Sequence, residues 1–118
     1  MSFVVRVTRR AASNLGEIAE WLATEGGSEV ALRWLDQVQR ELSGLCEFPT
    51  RHPLAPEDDE VRGPEIRHIV FGSYRVLFLV RDLDVFVLHM RHASRRTALP
   101  GEIQAAMREN GSSASSQP

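Results

Sequence analysis

Three apolar-rich runs, residues 66–71, 74–81 and 84–90, are separated only by the turn signals Gly72-Ser73 and Asp82-Leu83-Asp84. Connections that short leave neighbouring strands one arrangement, an antiparallel meander. In the middle run Tyr74, Val76, Phe78 and Val80 share one face, and Arg75, Leu77, Leu79 and Arg81 share the other. The first face is apolar throughout and needs a covering layer. The second is apolar at its centre and charged at both ends. The last run shows the same partition less cleanly.

The covering layer is legible upstream. Residues 2–7 read as a strand with Phe3, Val5 and Val7 on one side. Thr8 suits a helix N-cap, since its hydroxyl can accept from the free amides of the next turn. Ala11, Leu15, Ile18, Ala19 and Leu22 then fall at helical spacing, with Asn14, Glu17, Glu20 and Glu25 on the other side. Gly26-Gly27 ends this helix, and Ser28 is expected to cap a second with the stripe Ala31, Trp34, Leu35, Val38, Leu42 and Leu45. Two such helices joined by a glycine pair form an antiparallel hairpin. Phe48-Pro49 stops the second, and residues 49–65, with four prolines and the acidic run Glu57-Asp58-Asp59-Glu60, read as a loop. Pro100 opens a short C-terminal helix over residues 101–110, and the Ser-rich residues 111–118 read as a disordered tail. The expected fold is α+β, in the order β-α-α-β-β-β: an N-terminal strand, an antiparallel helix hairpin and a three-strand antiparallel meander, then the short helix. Residues 1–110 form a single domain, pictured as a twisted antiparallel sheet with the hairpin across one face.

Composition narrows the function. A single cysteine, Cys46, excludes an internal disulfide framework and suits a reducing compartment. The N-terminal apolar run is too short for a signal peptide, and no stretch reaches the ~20 apolar residues of a membrane span. A soluble cytoplasmic protein is expected, with no membrane partner, no cofactor and no metal.

Charge is unevenly placed. All fourteen basic residues are arginine, as codon bias in a GC-rich genome would produce, so arginine position says more than arginine identity. Residues 66–96 hold six of them against Asp82 and Asp84, a local +4 in a chain of net charge −2. Arg67, Arg75, Arg81, Arg91, Arg95 and Arg96, with His92 and the exposed-side Trp21, are the candidate partner-binding residues. Each has a bland alternative: Arg67 and Arg81 can pair with nearby acids, His68 and His89 can be satisfied strand residues, and Trp21 can pack on a neighbouring element. The acidic run can be a solvated loop, a docking surface for a basic partner, or a screen over the positive strand ends.

The order of elements resembles the RelE/ParE superfamily of toxins. The opening VTRRAASNLGEIAEWL is similar to the family's strand-to-helix passage, through Thr8, Ala11, Leu15 and Ile18. IRHIVFGSYRVLFLV resembles its Leu-Arg…Gly-x-Tyr-Arg-x-x-Tyr segment, through Ile66-Arg67, Gly72, Tyr74-Arg75 and Phe78. VFVLHMRHASR resembles the closing strand and His-x-x-Arg ending of the ParE branch, through His92 and Arg95. The resemblance implies the toxin of a type II toxin–antitoxin pair, neutralised by a cognate antitoxin that wraps it in a hetero-oligomer. It implies one of two mechanisms. ParE-like members inhibit DNA gyrase without hydrolysis, and RelE-like members cut mRNA on the ribosome.

RNA cleavage by 2′-hydroxyl attack needs a base, an acid and cations around the reacting phosphate. Arg67, Arg75 and Arg95 could supply the cations, and His89 with His92 the proton transfers. The RelE-like catalytic tyrosine that follows the closing-strand arginine has no counterpart here, because Tyr74 is the chain's one tyrosine and residues 96–100 carry no acid–base group. A ribosome-directed toxin is also expected to be strongly basic, whereas this chain has a pI near 6.1. Both points favour gyrase inhibition over a ribosome-dependent endoribonuclease, and whether the chain is an enzyme stays open at this level.

Overall fold

Thr8 decides where the first strand ends and the first helix begins. Its side chain is fully buried, and its hydroxyl accepts the N–H of Ala11 at 3.2 Å, as an N-cap must. The same hydroxyl donates to the carbonyl of Val87 at 2.9 Å, with the Leu88 carbonyl at 3.3 Å. One side chain therefore fastens the start of a helix to a strand 79 residues away.

In the computed structural model, residues 2–56, 58 and 63–92 are described. They form β1 (Val4–Val7), α1 (Arg9–Gly26), α2 (Ser28–Ser43), 3-10 turns at Gly44–Cys46 and Pro49–Arg51, then β2 (Arg67–Phe71), β3 (Tyr74–Arg81) and β4 (Asp84–His92). The expected C-terminal helix, the tail at 111–118, and Arg95 and Arg96 lie outside the described residues. No helix among the described residues is long and apolar enough to cross a membrane.

The α+β architecture, the helix pair and the antiparallel meander are as the sequence implies. The sheet order is β1-β4-β3-β2, and here the expectation of a wholly antiparallel sheet fails: β1 runs parallel to β4, pairing Val4 with Asp84 through Val7 with Val87. A helix hairpin returns the chain to the starting end of β1, so the last strand can lie beside the first in the same direction. An Arg6–Asp84 ion pair at 3.0 Å holds that register. Ser28 does not cap α2. It is the first helical residue, the N-cap is Gly27 at φ 95°, and no side-chain hydrogen bond caps this helix. The helix also stops short of Phe48, at Ser43, so the fully buried Leu45 reaches the core from the Gly44–Cys46 turn.

The helices cover one face of the sheet. Trp34 and Val38 of α2 meet Tyr74, Val76 and Phe78 of β3 and Val87 of β4 in one buried cluster. The opposite face has its own, smaller core of Leu77, Leu79, Phe86 and Leu88, roofed by Ala55 and Ile66 from the Pro-rich loop. That loop is partly tied down as a strand-like strip beside β2: Ala55 N–H to Ile66 carbonyl at 2.8 Å, His68 N–H to Pro53 carbonyl at 3.1 Å, and a Leu54–Arg67 bridge.

The β3–β4 register slips once. Leu77 pairs with His89 and Phe78 with Val87, leaving Leu88 as an extra residue, a β-bulge. Cross-strand partners share a face, so the bulge changes which side each later β4 residue takes. Val85, Val87, Met90 and His92 face the helices; Phe86, Leu88, His89 and Arg91 face the other way. This is why the last strand alternates poorly as a sequence.

Thr8→Val should lose the cap and the hydroxyl's bonds to β4, leaving only the Thr8 N–H on the Val87 carbonyl at 3.1 Å, at a cost of about 2 kcal/mol in urea unfolding. Thr8→Ser should cost less than half as much. Equal losses would mean that the hydroxyl is not what joins α1 to the bulge.

Candidate functional site

The bulge brings Arg91 opposite Arg75 on the face away from the helices. With strict alternation along β4, Arg91 would point to the helix side instead. Arg75 is 8% exposed and its Nη1 donates to His68 Nδ1 at 3.3 Å, which requires the His68 proton on Nε2. His89, also buried, stands diagonally across from Arg75. Two arginines at directly paired positions are mutually repulsive. They also concentrate cationic donors of the kind that bind a carboxylate or phosphate.

The other predicted residues distribute as follows. Arg67 is engaged structurally: its Nη1 donates to the His52 carbonyl at 2.6 Å and its Nη2 pairs with Glu65 at 2.9 Å. Arg81 is at the far end of β3, about 20 Å of strand from Arg75, with its guanidinium over the Phe86 ring at 5.9 Å. The structure does not bring it to the Arg75–Arg91 end. His92 packs edge-on against Tyr74 at 5.2 Å on the helix side, whereas His89 is on the opposite face. The two histidines therefore stand on opposite faces of β4.

Trp21 joins the same end of the molecule. A groove of about 560 Å³ runs between α1 and the edge of β4, lined by Arg10, Asn14, Glu17, Ile18 and Trp21 on the helix and by His89, Met90, Arg91 and His92 on the strand, with Tyr74 at its base. Trp21 is 56% exposed within it. The sequence reading missed Arg10, Asn14 and Glu17 as site residues, and put Asn14 and Glu17 on the solvent side. Their signal was a second helical stripe at positions 10, 14, 17 and 21, beside the apolar one. Asn14 is half-buried, and its Oδ1 accepts the N–H of Met90 at 3.1 Å. A second, apolar cleft of about 460 Å³ lies between the hairpin and β1, lined by Val5, Val7, Leu15, Leu35, Val38 and Leu42 among others. Among the described residues no group of three or more His, Cys, Asp or Glu side chains is placed to hold a metal ion.

With this geometry in place, comparison with known proteins is informative. The family described as the ParE toxin of the type II toxin–antitoxin system parDE matches residues 5–97. The chain belongs to that family. Within the RelE/ParE superfamily it is thus on the ParE side, as its closing-strand motif suggested. The match runs from within β1 through the whole of β4, so the groove and the Arg75–Arg91 pair both lie inside the matched residues. No curated protein sequence matches the chain. Among solved structures, a chain of the chromosomal ParDE system from P. aeruginosa is 18% identical, aligns over 79% of this chain and 98% of its own length, and superposes with a TM-score of 0.66, a likeness of fold. A doubly substituted E. coli RelE toxin in the free state is 21% identical over 92% of this chain and 94% of its own, with a TM-score of 0.48.

His52, which the sequence reading passed over, gives the fold a pH-sensitive contact. Its ring packs edge-on to the fully buried Phe78 at 5.8 Å while its carbonyl holds Arg67. Burial lowers its pKa below the ordinary 6.5, Arg51 and Arg67 lower it further, and Glu41 opposes them. The unfolded chain then binds the proton more readily, so this contribution is complete above pH 6.5 and is lost as pH falls below it. The stability lost between pH 8 and about pH 5.5 should be smaller in His52→Phe than in the wild type. Equal losses would remove His52 from the pH response.

Proposed function

We propose that this ParE-family toxin acts by binding and inhibiting DNA gyrase, and that a cognate antitoxin neutralises it by docking in the α1–β4 groove and covering the Arg75–Arg91 end. The observation that carries the choice of mechanism is the placement of His89 and His92 on opposite faces of β4. A ribonuclease needs an acid and a base converging on the phosphate that its cations hold. Beside Arg75 and Arg91 lie His68 and His89, but His92 is turned toward Tyr74, and Arg67 is committed to Glu65 and the His52 carbonyl. Membership of the ParE family, the acidic net charge and the lack of a tyrosine after Arg95 support the same reading.

The surface suits protein recognition on general grounds. It combines an exposed Trp, paired arginines and a groove with both polar and apolar walls, the residue types that dominate binding energy at protein interfaces. The gyrase contact is proposed for the same positively charged end, so antitoxin and target would compete for it.

Two assays run in parallel test the mechanism. Purified protein should block plasmid supercoiling by gyrase and leave mRNA intact on programmed ribosomes. Untouched supercoiling together with cleavage at the decoding site would instead establish the ribosome-dependent endoribonuclease.

A further inference from the structure

The strand registers place the Arg75–Arg91 pair in a grid. One row across the sheet runs Val70 on β2, Arg75 on β3 and Arg91 on β4; the next runs His68, Leu77 and His89. Cross-strand partners share a face, so all six side chains stand on the side away from the helices. No acid occupies any of the six positions. Arg75 is nearly buried there, with a second arginine as its β4 neighbour and the half-exposed, wholly apolar Val70 as its β2 neighbour. Neither of those side chains can accept a hydrogen bond.

An acceptor comes from the diagonal. His68 Nδ1 lies 3.3 Å from Arg75 Nη1, and a guanidinium can only donate. His68 is therefore neutral while this bond stands. A guanidinium is a rigid planar fork, so tying one N–H to His68 restricts the directions of the others. His68 is itself held in place, because its backbone N–H donates to the Pro53 carbonyl at 3.1 Å. Protonation would undo the arrangement. An imidazolium has no acceptor, and it would stand as a further cation beside Arg75 and Arg91. The charged and titratable groups facing His68 are Arg75 on β3 and His89 and Arg91 on β4. The strip beside β2 brings Pro53, Leu54 and Ala55, none of them charged, and His52 turns its ring to Phe78 on the helix side. Of the described acids next to that strip, Asp58 is bonded to the Ile66 N–H and Glu65 to Arg67.

We propose that His68 is the positioning residue of the target-binding end: as a neutral acceptor it aims the Arg75 fork at an anionic group of the partner beside Arg91, and on protonation it releases that fork. Target binding then weakens in acid. The link to gyrase rests on the function proposed above, whereas the hold of His68 on Arg75 is measured without it.

Nitrogen-resolved magnetic resonance of the full-length protein tests the hold directly. At neutral pH His68 should carry its proton on Nε2, and on acidification the Arg75 Nε–H resonance should shift with the same midpoint as the His68 ring. His68→Asn sets an amide oxygen close to the Nδ1 position and cannot titrate, so in that variant Arg75 should show no such midpoint. His68→Phe keeps a ring and removes the acceptor. At neutral pH it should bind purified gyrase about tenfold more weakly than the wild type, and His68→Asn should stay within about threefold. A merely structural role would reverse that order, because Phe suits a strand better than Asn. A proton on Nδ1, an Arg75 midpoint that survives in His68→Asn, or gyrase binding by the Phe variant as tight as by the Asn variant would overturn the role of His68. Wild-type protein that binds no gyrase would contradict the proposed target alone, and the tautomer and the Arg75 midpoint would still decide whether His68 holds Arg75.

Discussion

The contact between the Thr8 hydroxyl and the β4 bulge is the hinge on which the rest of this structure turns. Thr8 ends β1, caps α1 and binds the carbonyls of Val87 and Leu88 where the extra residue interrupts the ladder. A bulge leaves backbone groups out of register with the neighbouring strand, and buried backbone groups need partners. Thr8 supplies one from the helix. Once the bulge is held, the phase of β4 changes, Arg91 turns toward Arg75, and Met90 and His92 turn toward the helices. The same turn of chain at Thr8 ends the β1–β4 pairing, which opens the edge that Asn14 then occupies. The cation pair, the split of the histidines and the groove are therefore consequences of one local arrangement.

That arrangement favours recognition over chemistry. Arg75 and Arg91 are held opposite each other by strand geometry, a fixed spacing that suits an anionic side chain of a partner. Arg67, by contrast, spends its donors on Glu65 and a backbone carbonyl, stabilising the strip of loop beside β2. The groove adds a half-exposed Trp21 and the Tyr74–His92 pair next to the cations. The family's antitoxin-paired biology and this surface fit each other, since one end of the molecule can serve both a target and the protein that blocks it.

Much of the fold was legible because its signals are local and periodic. The period of 3.6 marked both helices, the two short turns marked the meander, and Thr8 announced itself as a cap. What escaped was non-local. Nothing in Val4–Val7 says that its partner is β4 or that the pairing is parallel, since a four-residue strand carries no register signal. The bulge at Leu88 was visible only as untidy alternation, so the faces of His89, Arg91 and His92 could not be assigned. Leu77 and Leu79 were legible as the apolar centre of the second face, but nothing in the sequence showed that Ala55 of the Pro-rich loop and Ile66 would cover them. Asn14 looked solvated because helix periodicity does not reveal a strand edge waiting across a groove.

That the Arg75–Arg91 end binds without catalysing proton transfer is tested most directly by following gyrase binding and growth arrest together. Arg91→Gln, shown to be folded by circular dichroism, should weaken binding to purified gyrase and lose growth arrest in step. Loss of growth arrest with gyrase binding intact would contradict this reading and point to chemistry at that end.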